Sequence, residues 1–477
     1  MSTPVKTEII PLKTVLTILL VAVLLAVVPF IPGLQKYGGL STQPFRALAK
    51  VPEAGSAVKP IPAIPLQNAK SAYPTPPAGS PYLFDPHGAL DHFYSSLERT
   101  AAKEPGAVTL VLHYGDSPVT ADSITADARS IFQSRFGDAG HGFVLIAKPW
   151  AWYGHRGVEI RARGWKIEAA TQSRAKDGFH GLGGVSFTGG PGAISNVTLP
   201  DDQHTRAQIF YLEQPDGGVF RVSTAGQTLV EVNTEGPEKK AAFASVSLPP
   251  ATRDVQLEVS SGKVRLFGYS FEKPGPGVIY SSLGLNGAQV QSMLRFFEVQ
   301  QWTDSLQHEH PDLIVLNYGT NESVDNAAYL QKLYPSELRQ VLDRIRTAAP
   351  EASLLVMSPM DRGKREDGEI ITPPVLPQIV DIQKRVALEA GWAFFNTFEA
   401  MGGSGTMARW YNSSPRLVSA DFMHPLPAGA AKVGALLDEA LFAGFDGYES
   451  KQPRQITRET HRKSDRTSRL PSSTHVK

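Results

Sequence analysis

The sequence predicts an α/β protein with a parallel sheet, interrupted by an inserted all-β, jelly-roll-like domain and preceded by a transmembrane helix. Short apolar strands alternate with amphipathic helices on either side of the chain's middle. That middle, residues 154–273, is a series of β-branched segments separated by Gly, Pro, Asn and Asp. Residues 14–34 form one apolar stretch without a charge.

Taken in order, residues 1–13 are a short polar tail. Thr14 to Leu34 reads TVLTILLVAVLLAVVPFIPGL; a helix of about 20 such residues spans a bilayer core. A cleaved signal peptide is the alternative. No small-x-small site directly follows the run, and Ala47-Leu48-Ala49 lies too far downstream, which favours a retained anchor. Lys6 and Lys13 precede the run while Lys36, Arg46 and Lys50 follow it, so flanking charge does not orient it. Residues 35–81 are rich in Pro, Ala and Ser and read as a semi-extended linker.

Residues 82–153 open the α/β part. Leu90, Phe93, Tyr94 and Leu97 fall at helical spacing, Pro105-Gly106 breaks the pattern, and Val108 to Leu112 reads as a buried strand. The β-rich block 154–273 contains RAQIFYLEQ, GVFRVST, TLVEVNT, AAFASVSL, VQLEVSS and VRLFGYSF. Residues 274–448 resume the α/β alternation. Strands are expected at Asp312–Asn317 and Ser353–Met357, and helices at Tyr329–Thr347, Pro377–Ala390 and Ala428–Phe442. Leu338, Val341, Leu342 and Ile345 form the inward stripe of the first helix. Residues 449–477 are basic and polar and read as a disordered tail; contact with anionic lipid or cell-wall polymer is the sharper alternative.

Composition excludes several classes. The formal net charge is +1, so no global field points to nucleic acid. With 0 cysteines, disulfides, thiolate catalysis and Cys-based zinc sites are ruled out. His308 and His310 lack a ligand-spaced carboxylate, so no metal site is expected there.

Four short motifs carry the chemistry. His113-Tyr-Gly-Asp-Ser-Pro118 follows a strand, so Ser117 stands at the carboxyl end of a parallel sheet, where open α/β folds place their sites. Ser282-Leu-Gly-Leu-Asn-Gly-Ala288 holds a glycine, Gly287, whose N–H can approach a ligand. Asn317-Tyr-Gly-Thr-Asn-Glu322 follows another strand, and the Asn321 side chain can donate to an oxyanion. In Asp421-Phe-Met-His-Pro425, His424 can take a proton from a serine hydroxyl while Asp421, three residues earlier, fixes its tautomer. Taken alone, each of the first three is accounted for by a turn or a helix cap, and Asp-x-x-His by a capped helix start or an incomplete metal site.

Together, in this order, the four motifs resemble the SGNH (GDSL-type) hydrolases, with Pro118 standing where that motif usually has Leu. The segments LVLHYGDSPVTAD, FGDAGHGFV and LFGYSFEKPGPGVIYSSLGLNGA, flanking a β-rich insertion, resemble the bacterial peptidoglycan O-acetylesterases. Those enzymes carry a carbohydrate-binding-like β module within the SGNH domain. The resemblance covers about Leu90 to Phe445. It implies a three-layer fold, with Ser117 as nucleophile, His424 as general base and acid, and Asp421 as its orienting carboxylate. It also implies an oxyanion hole made by the Ser117 N–H, Gly287 and Asn321. Asp122 matches a recurring Asp of such sequences, though a helix cap before Ile124 accounts for it equally well. The implied activity is a serine esterase removing O-acetyl groups from a cell-envelope polysaccharide, without metal or organic cofactor. That activity would put the catalytic part in the periplasm or extracytoplasmic space, held to the cytoplasmic membrane by a single span. An O-acetyltransferase with the same triad, a lipid or short-chain carboxylesterase, and a silent glycan-binding protein remain as alternatives. Trp150, Trp152, Tyr153 and Trp165 cluster at the start of the insertion. They suit sugar stacking, or more simply packing between the two parts.

Overall fold

The computed structural model describes residues 80–171, 174–325 and 327–451. The expected anchor at 14–34, nearly all of the Pro-rich linker and most of the basic tail lie outside these. Among the described residues no helix is long and apolar enough to cross a membrane.

The α/β sheet has six strands: β1 (Leu83–Phe84), β2 (Val108–Gly115), β12 (Gly277–Gly284), β13 (Leu313–Asn317), β14 (Ser353–Met357) and β17 (Ala393–Phe395). Their spatial order is β1-β17-β14-β13-β2-β12. All neighbours are parallel except β1, which pairs antiparallel on β17. β2 is buried from Thr109 onward, as a strand covered on both faces must be, so it reads as a continuous apolar run rather than an alternation. Chain order reverses between β2 and β13, and the ends of these two strands define a crevice.

Helices cover both faces. On one lie α1 (Asp91–Ala101), α3 (Ser123–Phe136) and α11 (Pro427–Lys451), packing Leu97, Phe132 and Leu437 against Val111, Tyr280 and Val315. On the other lie α5 (Val299–Glu309), α7 (Tyr334–Ala348) and α8 (Val375–Glu389), packing Trp302, Val341 and Ile379 with Leu112, Leu316 and Val356. Side chains one apart along each strand serve opposite faces. Short helices fill the connections: α2 (Ser117–Thr120), α4 (Ser292–Arg295), α6 (Ala327–Lys332), α9 (Thr397–Ala400) and α10 (Thr406–Tyr411). The single helix expected over Tyr329–Thr347 is two, α6 and α7. Pro335 lacks an N–H to bond backward, so the chain restarts its helix at Tyr334.

The middle of the chain is β-rich, as expected, and its nine strands form one hydrogen-bonded network. These are β3 (Gly140–Val144), β4 (Glu159–Ala169), β5 (Val185–Thr198), β6 (Arg206–Glu213), β7 (Val219–Thr224), β8 (Gln227–Asn233), β9 (Lys240–Ser247), β10 (Asp254–Ser261) and β11 (Val264–Glu272). β5 joins both halves. Its end Ile194–Thr198 pairs with β10 and its start Phe187–Gly189 with β11. The register of β5 against β4 jumps from Gly189 opposite Trp165 to Ile194 opposite Arg163, an irregularity centred on Gly189-Gly-Pro-Gly192. The separate β15 (Lys364–Glu366) and β16 (Glu369–Ile371) form a small hairpin.

The network begins earlier than residue 154. β3 pairs antiparallel with β11 and also lies against β12. A Cβ at Gly142 would stand 2.5 Å from Ser281 Oγ, so this approach requires glycine. Phe143 N donates to that hydroxyl at 3.1 Å. The insertion and one face of the α/β sheet consequently share a continuous apolar core, in which Phe143, Phe210 and Leu266 belong with Leu112 and Tyr114.

Asp122 does not cap α3 with its side chain. It is buried in an ion pair with Arg129, whose Nη1 lies 3.2 Å from Oδ1. It also accepts from Thr125 Oγ1 at 2.6 Å and from Arg156 N at 2.8 Å. Removing one partner of such a pair leaves an uncompensated buried charge. Arg129→Ala is therefore expected to lower unfolding free energy by about 3–5 kcal/mol, read from urea denaturation midpoints at neutral pH.

Candidate active site

The nucleophile turn is built by close packing. A Cβ on Gly115 would meet Val119 Cγ2 at 2.4 Å and Asn317 O at 3.0 Å, so only glycine ends β2 here. Asp116 leaves the strand at φ −95, ψ −146, and α2 starts at Ser117. Pro118 fits the first turn because its missing N–H has no helical acceptor there. Val119 N and Thr120 N donate back to Asp116 O at 3.1 and 3.0 Å. Ser117 is 8% exposed, so its hydroxyl stands at the floor of the crevice.

His424 Nε2 lies 2.8 Å from Ser117 Oγ. Its Nδ1 lies 2.6 Å from Asp421 Oδ2. The structure thus brings Ser117, His424 and Asp421 into one chain of contacts across most of the sequence. Asp421 Oδ1 accepts from the Ser419 hydroxyl, from Met423 N at 3.0 Å and from His424 N at 3.1 Å. Partial burial alone would raise the Asp421 pKa. The bonds from Ser419, the imidazole and the two backbone N–H groups outweigh it and hold the carboxyl well below its usual range. The turn places Phe422 at φ +59, a conformation that disfavours a bulky residue. Phe422 O accepts from Gly363 N at 2.7 Å, and its ring meets Tyr411 edge-on with centroids 4.7 Å apart.

Gly287 has φ +71, in a loop after β12. Asn321 follows β13 and its Nδ2 donates to Ala288 O at 2.9 Å, tying the two loops together. The same Nδ2 lies 3.5 Å from Asp116 Oδ2. Both expected oxyanion donors thus sit in loops at strand ends on the nucleophile side of the sheet; neither hydrogen-bonds Ser117 itself.

Two buried acids beneath these loops were not anticipated from sequence. Burial pushes Asp116 up to about 7, against opposing bonds from Thr320 and the field of His424. Burial pushes Glu322 up to about 8, with the Val290 N–H opposing and nearby Asp116 reinforcing. Glu322 Oε1 accepts from Val290 N at 2.7 Å and so braces the Gly287 loop from the Asn321 side. In sequence both residues look like turn-forming acids, and nothing local signals their burial.

Other candidates resolve structurally. His113 is buried with Nδ1 2.8 Å from Tyr280 OH, and His308 stacks on Phe243 at 3.7 Å. Trp150 and Tyr153 are buried, and Trp165 Nε1 donates to Ile194 O at 2.9 Å. Trp152 differs: it is 55% exposed, and its Nε1 donates to Asn286 Oδ1 at 3.2 Å, next to Gly287.

Residues 261–432 match the model of the GDSL-like lipase/acylhydrolase family. The match includes Asn321, Asp421 and His424 and begins near the end of the insertion that separates it from Ser117. Among solved structures, a peptidoglycan O-acetylesterase superposes with a TM-score of 0.67 at 23% identity, covering 77% of this chain and 99% of that one. A protein from Bacillus subtilis (13% identity, 60% of this chain and 90% of that one) reaches a TM-score of 0.30. An acetylxylan esterase variant from Geobacillus stearothermophilus (18% identity, 35% and 72%) reaches 0.25. No curated protein matches the chain.

The raised acids set a direction for stability against pH. A carboxyl whose folded pKa exceeds its unfolded value contributes stability that is full below the unfolded pKa and is lost as pH rises through the folded one. Asp116 runs from 3.8 to about 7 and Glu322 from 4.5 to about 8. The melting temperature is expected to fall between pH 5 and pH 8, and Glu322→Gln, which keeps an acceptor for Val290 N, is expected to flatten that fall. Scanning calorimetry across this window checks it.

Proposed function

We propose that the chain, whose residues 261–432 match the GDSL-like lipase/acylhydrolase family, is a serine esterase that removes O-acetyl groups from a cell-envelope polysaccharide, peptidoglycan first, through an acetyl-serine intermediate. The observation that carries this is the 2.8 Å contact between His424 Nε2 and Ser117 Oγ, with Asp421 2.6 Å from Nδ1. Asp421 accepts a hydrogen bond from Nδ1–H, which leaves Nε2 free to take a proton from Ser117 as its hydroxyl attacks the ester carbonyl. The developing oxyanion is held by the Ser117 N–H, the Gly287 N–H and the Asn321 amide. His424 returns the proton to the departing sugar alcohol. Water, activated by the same imidazole, then cleaves the acetyl-enzyme.

The substrate reading draws on two supports. The fold likeness to a peptidoglycan O-acetylesterase extends over 99% of that chain. The exposed Trp152 ring beside the Gly287 loop offers a face on which a sugar can stack. In this reading the segment 14–34 holds the catalytic part at the outer face of the cytoplasmic membrane.

Ser117→Ala is expected to abolish p-nitrophenyl acetate hydrolysis, and Asn321→Ala to lower it about 100-fold, the usual effect of losing one oxyanion donor. Acetyl esters are expected to turn over faster than octanoyl esters. Acetate release from O-acetylated peptidoglycan is expected to exceed that from acetylated xylan or alginate. Wild-type-like turnover by purified Ser117→Ala would overturn the mechanism, and equal rates on all three polymers would overturn the substrate.

A further inference from the structure

A pocket of about 380 Å³ opens beside the catalytic turn. Pro425 and Pro427, just after His424, wall one side; Ala121 and Ser123 come from the nucleophile side; Lys148 and Arg156 come from the connection into the β-rich part. Its charges do not cancel. Asp122 reaches the pocket, but its oxygens are taken by Arg129, Thr125 and the Arg156 N–H. The Arg156 guanidinium is paired with Asp127, with Nη2 3.2 Å from Oδ2. Burial pushes His155 down to about 4, so it is neutral at pH 7. Lys148 is exposed and has no hydrogen-bond or ion-pair partner among the described residues. The same pocket is lined by Ser123, where α3 presents its first turn without a side-chain cap; a helix of this length adds partial positive charge there.

We propose that this pocket is a subsite for a carboxylate carried by the glycan near the acetylated sugar, held by the Lys148 ammonium, with the two prolines against the ring carbons. The inference rests on the reading of the enzyme as a polysaccharide O-acetylesterase. The connection at 148–156 lies between the two parts of the fold, so the insertion helps shape substrate choice whether or not the rest of its surface touches sugar. One unpaired cation in a pocket that also holds a helix start selects for a negative group, and its contribution weakens with salt.

The test compares O-acetylated peptidoglycan fragments bearing free carboxylates with the same fragments after carbodiimide amidation. The readout is the ratio of the two kcat/KM values for acetate release. Wild type is expected to favour the free acids, by a ratio that falls as salt is raised. Lys148→Glu is expected to lower that ratio about tenfold, and Lys148→Arg to keep it. A wild-type ratio near one, or an equal change on both substrates in Lys148→Glu, would overturn the subsite while leaving the esterase reading intact. No acetate release from either polymer, with p-nitrophenyl acetate still hydrolysed, would overturn the glycan reading and the subsite with it.

Discussion

The 2.8 Å contact between His424 Nε2 and Ser117 Oγ joins residues from the first and last parts of the α/β fold, and the surrounding structure is arranged to keep it. Ser117 is fixed by β2, a central strand paired on both sides. His424 has no strand to hold it. Its position depends on the turn 419–424, closed by Ser419 N donating to His424 O at 2.9 Å and by four hydrogen bonds converging on Asp421. That turn places Phe422 at positive φ, an unfavourable conformation for a bulky side chain. The bond from Gly363 N and the packing on Tyr411 offset it. Within this turn the positive φ falls on the residue directly after the orienting carboxylate and two before the base.

The insertion separates Ser117 from the other motifs in sequence without moving it in space. β12, which follows the insertion, returns to pair with β2 along its whole length, from Gly277 against Val108 to Gly284 against Gly115. The glycines of β3 allow the β-rich network to lie directly on β12, and the two parts share apolar core rather than meeting across a polar linker. A large insertion is tolerated when its ends are close and its apolar face is buried, because loop closure adds little with length. The same geometry explains why the family match begins only at residue 261: the first motif is continuous with the sheet but not with the sequence that follows it.

Much of this was legible in the chain. The strands read at 108–112, 312–317 and 353–357 rest on short apolar runs, and that pattern survives whatever packs on them. The motif residues lie at strand ends because parallel sheets place functional groups there. Other features depend on tertiary context. β3 reads GHGFV, and its glycines look like a loop until Ser281 is seen to occupy the space a Cβ would need. The break before Tyr334 was marked by Pro335, but a proline in a helix's first turn looks the same as one inside a longer helix. The fate of the Trp cluster rested on burial: three of its four members pack, and Trp152 alone stays largely open.

The least legible part is the support under the oxyanion loops. Gly287 and Asn321 come from different strands, and no single element fixes their separation. Asn321 Nδ2 on Ala288 O and Glu322 Oε1 on Val290 N cross-link the two loops at 2.9 and 2.7 Å. Both links are buried or half-buried, where each hydrogen bond is stronger and each unpaired group more costly than in water. Glu322 is fully buried and Oε2 has no partner in the structure. It therefore favours the protonated form, which braces the loop without adding a second negative charge beside Asp116. A full carboxylate there would place unfavourable potential near a site that must accept an oxyanion. Keeping this acid neutral reconciles a rigid loop with the electrostatics the chemistry requires.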